Sequence, residues 1–89
     1  IDPNLASAYC GRGVTYSKMG FLDHAVADYS KAISLDSRNP VVYLNRAEAF
    51  FAKREYDKSW TDIHQAEALN GGVDAEFLKK LQLESGRQR

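Results

Sequence analysis

A shift of 34 residues lays this 89-residue sequence on itself, and that period constrains the fold more than any other feature of the chain. Tyr9 falls on Tyr43, Arg12 on Arg46, Asp23 on Asp57, Asp28 on Asp62, Ala32 on Ala66 and Leu35 on Leu69. Conservative pairs join them: Gly13 with Ala47, Tyr16 with Phe50, Ala25 with Ser59, Tyr29 with Ile63, and Ile1-Asp2 with Leu35-Asp36. One coincidence is cheap, but matches at this many size-restricted positions imply a unit built twice. The opening "IDPN" is answered by "LDSRN" one period later, and more loosely by Leu69-Asn70-Gly71-Gly72 after another.

Inside each unit the apolar and small residues keep helical time. Leu5, Tyr9, Gly13 and Tyr16 step by four, four and three, and Ala25, Tyr29, Ala32 and Ile33 resume the stripe after a break at Met19-Gly20. Two amphipathic helices per unit follow, and the spacing predicts helices near 5–18, 22–36, 40–53, 56–69 and 74–85. Gly20 suits the left-handed residue that ends a helix, Asn39-Pro40 reads as an N-cap with Pro at the first helical position, and Asp74 reads as a second cap. Gly13 and Ala47 fall mid-helix, where Gly costs about 1 kcal/mol relative to Ala, so a close helix–helix approach is the reason to expect one there.

Chemistry is sparse. Twelve basic residues balance twelve acidic ones, so no basic field gathers nucleic acid and no polybasic stripe addresses anionic lipid. Apolar runs such as Val41-Val42-Tyr43-Leu44 are far short of the roughly 20 residues of a membrane span. Cys10 is the only cysteine, which rules out an internal disulfide and makes a reducing, cytoplasmic compartment the expectation. It has no nucleophile context, and a free Cys is more often a small apolar packer. His24 and His64 stand forty residues apart without a ligand at metal-binding spacing, and no phosphate-cradling glycine loop occurs. The reading is a non-enzyme with no cofactor and no metal. Arg12 and Arg46 each recur with an acidic mate, Asp28 and Asp62, which suits bidentate structural ion pairs. Asp23 and Asp57 fall in the first turn of a second helix, where a carboxylate complements the helix dipole.

The pattern resembles the tetratricopeptide repeat (TPR) family over nearly the whole chain. The aromatic, small, aromatic triplet of that family's first helix is matched by Tyr9, Gly13 and Tyr16, then by Tyr43, Ala47 and Phe50. The second-helix pattern is matched by Ala25, Tyr29 and Ala32, and more loosely by Ser59, Ile63 and Ala66. The resemblance implies an all-α superhelix of helix hairpins, about five helices in all. It divides the chain into the end of an upstream repeat at 1–5, repeats at 6–39 and 40–73, and a capping helix with a tail at 74–89. On that division the chain starts inside a longer array and reaches its C-terminal end. Departures are Ser37 and Gly71 in place of the closing Pro, and Arg54 in place of the turn glycine.

The resemblance also implies a protein or peptide partner held in a concave groove lined by the first helix of each hairpin. Helical spacing then nominates Cys10, Val14, Ser17 and Lys18 on the first such helix, Leu44, Asn45, Glu48, Phe51 and Ala52 on the second, and Leu78, Lys79 and Gln82 on the cap. Several are apolar where solvent would ask for polar residues; packing between adjacent helices is the competing account of Val14 and Phe51. Phe51 is the expected anchor and Asn45 the orienting amide. One TPR subclass grips acidic C-terminal tails with a clamp of Lys, Asn and Arg side chains. Matched to it, this sequence keeps Asn45 but has Cys10, Val14, Ala75 and Lys79 at the other positions, so an apolar segment is the expected ligand. The alternative is an assembly domain, either a scaffold joined to an enzyme beyond these residues or a self-associating unit using the face of Leu5 and Tyr9. An RNA-reading helical repeat is disfavoured by the zero net charge and the period.

Overall fold

The computed structural model describes residues 3–89. Five helices follow one another: α1 (Pro3–Lys18), α2 (Leu22–Leu35), α3 (Pro40–Ala52), α4 (Tyr56–Ala68) and α5 (Ala75–Ser85), with no strand among the described residues. Each lies within a few residues of the span the periodicity predicts. The Ile1-Asp2 pair that the period matches to Leu35-Asp36 lies outside the described residues. α1 also begins earlier than residue 5, at Pro3, whose fixed φ suits a first helical turn. Residues 3–5 are therefore helical, whereas the positions one period later are turn and cap.

α1 pairs chiefly with α2 and α3 with α4, while α2 against α3 joins the two hairpins and α5 closes on α4. Connections of three residues leave each second helix no course but to fold back along the first. The two turns are built alike. In one, Gly20 N–H donates to Ser17 O at 3.0 Å and Phe21 N–H to Tyr16 O at 2.9 Å; in the other, Arg54 N–H donates to Phe51 O and Glu55 N–H to Phe50 O, both at 2.9 Å. Arg54 takes a φ of 64° where Gly20 takes 82°, so the turn geometry persists although its glycine does not. Asn39 and Asp74 cap α3 and α5, their Oδ1 atoms accepting from Val41 N–H at 3.0 Å and Glu76 N–H at 3.2 Å. α2 and α4 start without a side-chain cap.

Two apolar centres result, and α3 walls both. Ala25, Tyr29 and Ala32 of α2 meet Val42 and Ala49 of α3, with Tyr9, Cys10, Val14 and Tyr16 of α1 packed alongside. On its other side α3 brings Ala47, Leu44 and Phe51 against Trp60 and Ile63 of α4 and Leu81 of α5. Small residues set the approach. A Cβ at Gly13 would stand 2.7 Å from Tyr29 Cε1, so the ring lies directly on the α1 backbone. In the second hairpin Ala47 is fully buried and its carbonyl accepts from Ser59 Oγ at 2.7 Å, which satisfies a hydroxyl that replaces the Ala25 of the first.

Candidate functional site

The recurrent arginines sit on one motif repeated. Arg12 Nε and Nη2 donate to Asp28 Oδ2 and Oδ1 at 2.7 and 2.8 Å, and Arg46 Nε and Nη2 donate to Asp62 Oδ2 and Oδ1 at 2.8 and 2.7 Å. Each guanidinium also lies between two rings of its own helix, Tyr9 and Tyr16 for Arg12, and Tyr43 and Phe50 for Arg46. The Arg12 guanidinium, by hydrogen bond first and charge second, holds the buried Asp28 carboxyl below the ordinary carboxylate range against the opposing effect of burial. The hydrogen bond to Asp62 likewise raises Arg46. The copies differ in cover: Arg46 Nη1 also donates to Ser30 Oγ of α2 at 3.0 Å and its side chain is 21% exposed, whereas Arg12 is 59% exposed. These four residues hold helices together, each guanidinium engaged by a carboxylate on the paired helix.

The nominated groove residues lie on α1, α3 and α5, with α1 and α3 joined at Cys10 and Asn45 and α3 and α5 joined at Phe51 and Phe77. Asn45 Nδ2 reaches Cys10 Sγ at 3.8 Å, a weak bond that ties the middle of α3 to α1. Cys10 and Val14 are half-buried against the first apolar centre, and Leu44, Phe51 and Leu78 are half-buried against the second. The Phe51 ring meets Phe77 edge-on with centroids 5.4 Å apart and Tyr56 at 5.7 Å, so part of its surface is already used inside the fold. Ser17 is half-buried, and Lys18, Ala52 and Lys79 are exposed. Gln82 is half-buried and donates to the backbone carbonyl of Gln88 at 2.8 Å, a contact with the chain's own tail. Beside Cys10 opens a cleft of about 360 Å³ between Ala6, Ser7 and Gly11 of α1, the end of α2 at Ala32 and Asp36, and Asn39 and Val42 at the start of α3. A shallower hollow of about 420 Å³ at Arg54–Lys58 and Ser85 shares no residue with the nominated set.

Electrostatics single out Glu48. Partial desolvation of its carboxyl, then the Asp74 carboxylate, push it above the ordinary range although the residue as a whole is exposed, and it accepts no hydrogen bond and joins no ion pair among the described residues. The buried Tyr29 hydroxyl is raised by burial first, then by Cys10, with Glu48 contributing. No set of three His, Cys, Asp or Glu side chains among the described residues is placed to hold a metal. His24 is exposed and stacks on Tyr16 with centroids 5.0 Å apart, and His64 is exposed and stacks on Trp60 at 5.7 Å.

Residues 6–39 match the family model described as Tetratricopeptide repeat, and the second hairpin repeats the turn and ion pair of the first. The chain belongs to the TPR family. It is 34% identical to human DnaJ homolog subfamily C member 7 over 94% of its own length and 18% of that protein, and 34% identical to human RNA polymerase II-associated protein 3 over 90% of its own length and 12% of that protein. The chain thus spans under a fifth of these relatives. Among solved structures it is similar to the first TPR of Spaghetti (RPAP3) bound to the HSP90 peptide SRMEEVD, with a TM-score of 0.76 and 34% identity over 79% of this chain and 56% of that one.

Two features of this TPR unit escaped the sequence reading. Trp60 is fully buried on α4, its Nε1 donating to Ser85 Oγ at 3.0 Å while Arg87 lies over the ring. Its counterpart one period earlier is Val26, so the repeat pattern carried no sign of it. The tail past α5 also binds back, through Arg87 to Asp57 at 3.0 Å and Arg89 to Glu67 at 2.6 Å.

Proposed function

We propose that this chain is a non-catalytic protein-interaction module that holds a peptide segment along the row from Cys10 and Val14 through Asn45 to Leu78. The observation that carries the reading is the row itself: half-buried apolar side chains around one amide, continued by a cleft of about 360 Å³. Such a surface suits a segment bound by apolar side chains and a few hydrogen bonds, as in groove recognition generally. The solved TPR relative holds an acidic peptide, SRMEEVD, which supports a peptide ligand as a class. The donors here are fewer: Asn45 is engaged with Cys10, and Lys18 and Lys79 are exposed cations on separate helices, too little to replace the lost hydration of a carboxylate. Selection of a displayed random heptapeptide library on the chain tests the reading. Selected peptides should lose at least about tenfold in affinity with Val14→Asp and nothing with Lys31→Ala, since Lys31 is exposed on α2. Equal binding to both variants would defeat it.

A second reading, self-association, rests on the unequal cover of the repeats. Tyr43 is 7% exposed beneath α2, while Leu5 is 45% exposed beside the half-buried Tyr9 and the open Arg12. The face of Leu5, Ala8 and Tyr9 would then pair with a second copy. Sedimentation should show concentration-dependent dimers that Leu5→Glu abolishes; a monomer at millimolar concentration excludes it.

A further inference from the structure

Of the two glycines inside helices among the described residues, Gly13 has its reason in the Tyr29 ring, and Gly11 has none within the fold. A Cβ at Gly11 would meet nothing within 4 Å, and its φ is not positive. A glycine there costs the helix about 1 kcal/mol relative to Ala, and one period later the same place holds Asn45. Such a glycine is expected where something outside the fold comes up against the backbone. Gly11 opens on the cleft of about 360 Å³ beside Cys10.

That cleft has an apolar base and a polar mouth. Ala32 and Val42, both buried, lie at the bottom, with the half-buried Ala6 and Cys10 beside them. Asp36, Asn39 and Ser7 supply the polar groups. Asp36 Oδ1 accepts from Arg38 N–H at 3.1 Å and faces Arg38 Nε at 3.5 Å, which leaves Oδ2 without a partner among the described residues. Asn39 uses Oδ1 to cap α3, so its Nδ2 donor is unused, and the Ser7 hydroxyl joins no bond among the described residues.

Resting on the groove reading above, we infer that this cleft is a side-chain subsite and that the bound segment places a tyrosine in it, the ring against Ala32 and Val42 and the hydroxyl at Asp36 and Asn39. A phenol both donates and accepts, so it answers a carboxylate and an amide N–H at once. Phe answers neither and leaves both groups stripped of water beside its ring. An acidic side chain meets Asp36 with like charge, and Lys or Arg meets the Arg38 cation already beside that carboxylate. Aliphatic side chains bury less area and bring no hydroxyl.

The probe is a displayed random heptapeptide library selected in parallel on wild type and Gly11→Leu, whose added side chain fills the cleft. Because the Cβ meets open space and Leu favours a helix over Gly, the variant should melt no lower than wild type; a lower melting temperature would mean that the cleft is closed and would overturn the inference. The wild-type pool should carry a Tyr at one position that the Gly11→Leu pool lacks. In the best wild-type peptide, made synthetically, replacing that Tyr by Phe should weaken binding about tenfold on wild type and under twofold on Asp36→Ala, a cycle that isolates the contact of hydroxyl with carboxylate. Val14-dependent peptides with no Tyr position, with Phe, Lys or Arg in its place, or with a Tyr kept equally by Gly11→Leu overturn this inference alone. A library that yields no Val14-dependent peptide overturns the groove reading and this inference with it.

Discussion

At the scale of single residues, burial decides what the two equivalent ion pairs contribute. Asp62 is 2% exposed and its Arg46 is clasped additionally by Ser30, so Arg46→Ala leaves a buried carboxylate with no cation and should cost about 3 kcal/mol. Arg12→Ala should cost clearly less because Arg12 already lies in water. Urea melts of both variants check the order; equal losses would mean that cover by α2 is irrelevant. Glu48 has the opposite sign to Asp28. A carboxyl held low in the fold, as Asp28 is, adds stability above its unfolded range near pH 4 and loses it as pH falls. A carboxyl held high, as Glu48 is, folds best protonated and costs stability as pH rises through that range. Because Glu48 is exposed, the effect is small: Glu48→Gln should raise the melting temperature by about 1–2 °C at pH 7 and not at pH 4. A rise that is equal at both pH values contradicts the assignment. The arginine–aspartate recurrence stood in the sequence because both copies kept it, whereas Ser30 against Arg46 did not, since a contact made once leaves no periodic trace.

At the scale of elements, the two hairpins show how one turn survives a change of residue. The paired bonds from 20 and 21 recur from 54 and 55, with Arg54 forced to the positive φ that Gly20 adopts freely. Helix–helix approach is less forgiving. At Gly13 a methyl group would meet the Tyr29 ring at 2.7 and 2.8 Å, and that ring is 2% exposed. Gly13→Ala gains about 1 kcal/mol of helix propensity and loses about 2 kcal/mol or more to overpacking. The net is a fall in melting temperature of roughly 4–8 °C, and an unchanged or raised value would show that the ring moves aside. The helices were legible because their stripes, turn glycine and caps agree with one another. The groove was legible only in outline. A residue at the edge of a helical stripe can face core or solvent, so spacing alone could not tell that Phe51 spends part of its ring on Phe77 and Tyr56.

At the scale of the whole molecule, extents of 39 × 28 × 17 Å describe a stack in which each layer touches only the next, so stability is a sum of local units and their interfaces. α5 packs chiefly on α4, gripping it through Leu81, which is fully buried beside Trp60, and meets α3 where Phe77 lies edge-on to Phe51. Deleting that side chain to Ala should cost about 2–4 kcal/mol, a large share of the roughly 5–10 kcal/mol available to a chain of this size. The loss falls on one interface rather than on all of them. Trp60 is the chain's only tryptophan and lies under α5, its Nε1 bonded to Ser85, so its fluorescence reports that interface while circular dichroism reports all five helices. In wild type the two urea transitions should coincide, as expected of a small cooperative domain. In Leu81→Ala the Trp60 signal should shift to the red at lower urea than the loss of helix, because α5 detaches while the α1–α2 and α3–α4 hairpins, joined through α2 and α3, still stand. Coincident transitions in the variant would mean that the stack melts as one body and that the nearest-neighbour account of its cooperativity is wrong.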